Sequence, residues 1–256
     1  MEKLVTSMSM ICILIFASFS AHAVVVDATT NGNWLGYMNV FENDNGAKGA
    51  HIPGSPTGIW GTTDLRANAQ AGDPTILELR PNTNAYSNSL LQADADRAYW
   101  TNSEDGGVTP GPDGNKWMEA TYYLEAEGDN TAWNGQTLTF SGTISDFTLD
   151  NRYSTVAFIK TLDPNNGFNT IQNKEFEISL VSATNDGAFE LSLDIEEGDY
   201  VAQMGFTMSG LNANPNTDWG LIELRDLAAT AVPEPSTYAL LAGLAVFLFI
   251  AIRRRK

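Results

Sequence analysis

Phe189-Glu190-Leu191-Ser192-Leu193-Asp194-Ile195-Glu196 alternates apolar and polar side chains without a break. A period of two puts the apolar side chains on one face of an extended strand and the polar ones on the other, so the stretch reads as a strand with one buried face. The same alternation recurs at Met118, Ala120, Tyr122, Leu124 and Ala126, at Phe176, Ile178 and Leu180, and at Tyr200, Ala202, Met204, Phe206 and Met208. Asn185-Asp186-Gly187 and Glu197-Gly198-Asp199 between them are turn sequences. The second half is therefore expected to run as an antiparallel meander. Shorter strand candidates are Trp34 to Phe41, Ile76 to Leu79, Leu138 to Phe140, Val156 to Thr161 and Trp219 to Leu227. No stretch of the body reads as a long amphipathic helix.

Nine or ten such strands in the 209 residues from Val24 to Val232, with no tandem repeat, predict two packed sheets. The expected fold is all-β, a two-sheet antiparallel sandwich of jelly-roll type. It forms one domain, residues 24–229, between an N-terminal signal peptide (1–23) and a C-terminal linker and apolar helix (230–256).

Charge narrows the function. Between Val24 and Val232 the chain has nine Lys or Arg against 29 acids, a net of −20. Such a surface repels a nucleic-acid backbone and attracts divalent cations. Met1 to Ala23 combines Lys3, an apolar run and the small-x-small site Ala21-His22-Ala23, the pattern that signal peptidase accepts. The only Cys, Cys12, and one of two His, His22, belong to that segment, so the exported body has no thiol and a single His51.

The other end reads Val232-Pro233-Glu234-Pro235-Ser236-Thr237, then an apolar run from Tyr238 to Ile252, then Arg253-Arg254-Arg255-Lys256. As a helix the run would reach about 22 Å, against roughly 30 Å of hydrocarbon core, so it spans only marginally. The terminal cations favour the cytoplasmic side and place the body outside that membrane. Pro233-Glu234-Pro235 followed by a short apolar run and a basic end resembles the PEP-CTERM sorting signal of Gram-negative bacteria. The resemblance implies recognition and processing by exosortase, an inner-membrane-anchored precursor, and a destination in the envelope or extracellular matrix associated with exopolysaccharide and biofilm. More faintly, Trp117-Met118-Glu119-Ala120 and Phe206-Thr207-Met208-Ser209-Gly210-Leu211-Asn212 resemble strands of jelly-roll carbohydrate-binding modules, in which aromatic rings stack on sugars and a structural calcium is common.

Sugar stacking needs flat aromatic faces. Trp60, Trp100 and Trp133 lie beside Gly- or Asn-rich sequence and are the candidates, whereas Trp34 is expected in the core. Glu42-Asn43-Asp44-Asn45-Gly46 and Asp163-Pro164-Asn165-Asn166-Gly167 have the oxygen-rich composition of calcium loops, with Asp44 and Asp163 as candidate ligands, although neither has the helix-flanked twelve-residue pattern. No cofactor is expected. No nucleophile motif surrounds His51, and no carboxylate pair stands out among so many acids. The reading is a non-catalytic structural or adhesive sandwich. A lectin-like carbohydrate-binding module is the alternative, and a polysaccharide-active hydrolase stands third.

Overall fold

The computed structural model describes residues 23–28, 33–54, 57–70, 72–126, 132–178, 187–233 and 252–253. The expected signal peptide up to His22, most of the tail beyond Pro233, and the Asn185-Asp186 half of one expected turn lie outside them. Thirteen strands are described: β1 (Val24–Val26), β2 (Leu35–Asp44), β3 (Ala47–His51), β4 (Gly58–Ile59), β5 (Ala67–Gln70), β6 (Asp73–Leu79), β7 (Lys116–Glu125), β8 (Gln136–Phe147), β9 (Ser154–Asp163), β10 (Asn169–Glu177), β11 (Ala188–Asp194), β12 (Val201–Leu211) and β13 (Ile222–Pro233). Two short helices, α1 (Asn84–Ser89) and α2 (Asp94–Trp100), sit between β6 and β7.

The strands form two antiparallel sheets. One has the order β11-β8-β13-β6-β5, with β1 also pairing β13; the other has the order β10-β9-β12-β7-β2-β3, with β4 also pairing β2. The chain is thus an antiparallel β-sandwich. Its main core is built from the alternating positions: Leu138, Phe140, Phe189, Leu191, Ile222 and Leu224 from the first sheet meet Tyr122, Leu124, Ile159, Met204 and Phe206 from the second. Phe206 sits where rings converge, with centroids 5.2 Å from Phe140, 5.8 Å from Phe189 and 6.2 Å from Trp34. Trp34 packs as expected, stacked on Tyr122 at 4.3 Å. A smaller cluster of Met38, Val40, Leu65, Ala85 and Met118 fills the end covered by α1.

The expected meander is not what forms. β10 pairs β9, β11 crosses to the other sheet to pair β8, and β12 returns to lie between β9 and β7. Alternation tells each strand which face to bury, and either sheet offers it a core-facing position. Pairing partners are chosen by closing both sides of one core. The last strand also differs from expectation. A bulge between Arg225 and Ala228, with Asp226 at φ 52°, lets β13 continue to Pro233. Residues 230–233, expected as linker, therefore belong to the sheet.

Candidate functional site

The outward face of the seven-stranded sheet carries a groove of about 520 Å³. Strand register builds its floor in rows. Glu125 on β7, Gln203 on β12 and Lys160 on β9 lie side by side, because Gln203 is paired with Glu125 on one flank and with Lys160 on the other. Gly205 is likewise flanked by Tyr123 and Phe158, and Thr121 is flanked by Tyr37 and Thr207. The walls are Ile59 on β4 and Gly167-Phe168 in the turn between β9 and β10. Both wall side chains are exposed, Ile59 at 87% and Phe168 at 59%.

The floor is polar but held in place. Gln203 donates through Nε2 to Glu125 Oε1 at 2.5 Å. The hydroxyls of Thr121 and Thr207 are 3.1 Å apart. The Lys160 ammonium lies 4.7 Å from the Phe158 ring centroid. Its pKa is lowered by burial, against the opposing pull of Glu175, Glu119 and Glu125. Burial, with the neighbouring Glu125 and Tyr37, pushes the Tyr123 phenol up to about 12. A carboxylate, an amide and an ammonium in one row, beside tyrosine and phenylalanine rings, supply both needs of a sugar: fixed partners for hydroxyls and apolar faces for the C–H side of the ring.

Of the tryptophans expected to stack on sugars, Trp133 is interior instead, whereas Trp60 and Trp100 keep part of their surface exposed. Trp133 is 5% exposed within the main core. Trp60 and Trp100 are half-buried against the smaller cluster, and Trp100 meets Tyr99 edge-on at 4.9 Å. Gly- and Asn-rich surroundings mark a loop. An indole in a loop is still the largest apolar body available to plug the end of a sandwich, and burial favours that use. Asp163 accepts a hydrogen bond from the Asn165 backbone N–H at 2.9 Å and caps the turn, which continues through Gly167 at φ 64°. Asp44 accepts from the Asn45 amide at 3.0 Å in the β2–β3 hairpin. No group of three or more His, Cys, Asp or Glu side chains converges on a metal-sized site among the described residues. His51, at the end of β3, lies 5.1 Å from Phe41.

The groove residues had no sequence signal of their own. Tyr37, Tyr123, Lys160 and Gln203 fall at positions that alternation assigns only to the outer side of a sheet. Phe168 lies in a turn.

At the C-terminal end, Pro233 is the last residue of β13 and is half-buried, and Ala231 beside it is fully buried. Ala23, at the expected signal-peptidase site, is exposed just before β1, and Arg253 is exposed. Ala21, Glu234, Pro235, Arg254, Arg255 and Lys256 lie outside the described residues. Among the described residues no helix is long and apolar enough to cross a membrane; all of the Tyr238 to Ile252 run but its last residue falls outside them.

Comparison with known families supplies the class. The model of the PEP-CTERM protein-sorting motif matches residues 231–256. The tail therefore carries a PEP-CTERM sorting motif, which indicates an exported, membrane-processed protein and implies exosortase as the processing partner. No curated protein and no solved structure matches the chain. The motif describes the tail and leaves the sandwich to be read from its own geometry.

Proposed function

We propose that this exosortase-sorted protein is a non-catalytic component of the cell envelope or extracellular matrix, whose jelly-roll-like sandwich holds polysaccharide in the groove over β2, β7, β12 and β9. The carrying observation is the row Glu125-Gln203-Lys160 lying beside Tyr37 and Tyr123 on an outward sheet face. Its facing charges offset one another, while the body as a whole is strongly acidic. A neutral glycan chain fits that balance better than a polyanion, which the body repels at long range. The structural or adhesive role then follows from binding matrix polymer.

The test is retardation of the detergent-solubilised full chain in gels containing neutral polysaccharides, including the exopolysaccharide of its own host. Tyr37→Ala and Gln203→Ala should each abolish retardation. No binding by the unaltered chain, or binding that survives both substitutions, removes the groove from the account.

A further inference from the structure

The sorting motif and the folded body share residues. The matched motif begins at Ala231, yet Ala231, Val232 and Pro233 are the last three residues of β13. On one flank they pair with Leu138, Thr137 and Gln136 of β8. On the other flank β6 reaches only Ile222 to Leu224, and beyond it β1 takes over, pairing Val26 with Ala229, Val25 with Thr230 and Val24 with Ala231. β1 thus covers the flank of the strand that runs into the sorting signal. It also follows directly on Ala21-His22-Ala23, so the two ends of the body that are expected to meet processing enzymes are neighbours at one end of one sheet.

We propose that β1 is a latch on the start of the sorting motif, and that its release from β13 controls how readily exosortase takes the tail. An enzyme that engages an extended peptide uses the peptide's own N–H and C=O groups, and in β13 these are committed to neighbouring strands. With β1 seated, the end of β13 is an interior strand as far as Ala231, the first residue of the matched motif. With β1 detached it becomes an edge that can fray away from β8. A three-residue strand is the element of the sheet most easily lost by local opening. Pro233 marks where the sheet must stop, because it has no N–H to give. Val24 to Val26 are positioning residues in this scheme, acting through β13.

The experiment uses the full chain, with Cys12→Ser, in a host that carries exosortase, and follows tail removal by pulse-chase. Val25→Cys with Thr230→Cys joins two residues in register, of which Val25 is 78% exposed, and leaves the matched motif untouched. The oxidised double variant should be processed several-fold more slowly than the same chain after reduction. Val25→Pro, which puts a residue that strands accommodate poorly at the centre of β1, should be processed several-fold faster than the unaltered chain. A flexible Gly-Ser insertion between Val232 and Pro233 should make processing indifferent to the disulfide, which a general change in stability would not do. Equal rates for the oxidised and reduced forms overturn the latch. An unaltered chain that keeps its tail in the presence of the enzyme overturns the sorting reading and the latch with it.

Discussion

The two outward faces of the sandwich follow the same alternation and are built differently. On the six-stranded sheet the outer positions of β8 are Thr137, Thr139, Ser141, Thr143 and Ser145, facing Glu190, Ser192 and Asp194 of β11. Their contacts are short and local: the Thr137 hydroxyl donates to Asp194 at 2.7 Å, and the hydroxyls of Thr139 and Ser192 lie 2.8 Å apart. Small hydroxyl side chains keep a strand extended and satisfied by water, which is all that a solvated face requires. On the seven-stranded sheet the corresponding positions hold Tyr37, Thr121, Tyr123, Phe158, Lys160 and Gln203. Tyr123 is 8% exposed although it points away from the core. Large side chains gathered under walls on an outer face contribute little that a solvated sheet needs. They form a surface suited to a ligand, and the difference between the faces supports the groove as the working side.

The largest expected break in this comparison comes from alkali. An unfolded chain releases its phenolic protons near pH 10, whereas Tyr123 keeps its own until about pH 12. Tyr122 and Tyr153, in the core, are raised further by burial. The native state then holds more protons than the unfolded state, so stability falls as pH rises above about 10, on the order of 2 kcal/mol from Tyr123 alone by about pH 12. Lys160 works in the opposite direction: its pKa is lowered, so the native state holds fewer protons there and stability rises as pH climbs from that lowered value to the ordinary lysine one. Denaturant unfolding across this range, followed beside phenolate absorbance, should show the net loss. Full tyrosine ionisation near pH 10 in the still-folded protein would contradict the burial of Tyr123 in the groove floor.

A smaller effect is expected at Gly205, between Tyr123 and Phe158. A Cβ there would strike the Tyr122 carbonyl and come within 2.7 Å of the Tyr123 Cα, so β7 and β12 would have to separate. Gly205→Ala should cost about 1–3 kcal/mol in chemical denaturation and weaken glycan retention with it. Thr139→Ala on the opposite face is the smallest, within about 0.5 kcal/mol and without effect on binding. Loss of binding from that substitution would exchange the roles of the two faces.

Several features are legible in the residues alone. The buried sides of β7, β11 and β12, the packing of Trp34 and the sorting tail are local patterns, each carried by consecutive or alternating residues. The groove is not legible in the same way. Tyr123 and Lys160 are far apart in the chain and meet only because β12 lies between β7 and β9. Trp133 misleads for a related reason: loop composition reports backbone conformation, and burial of the indole depends on which cavity the fold leaves to be filled.

Side-chain alternation and a contiguous motif act over short distances. They are enough to specify a β-sandwich with an inside and an outside to each strand, and a tail that is a sorting signal. Closure of the two sheets in three dimensions set the rest: which sheet each strand joined, which outer face became a groove, and that the last strand runs into the sorting motif under the cover of β1. Those outcomes depend on which distant strands pair when two apolar faces close on one core, and no run of neighbouring residues encodes that choice.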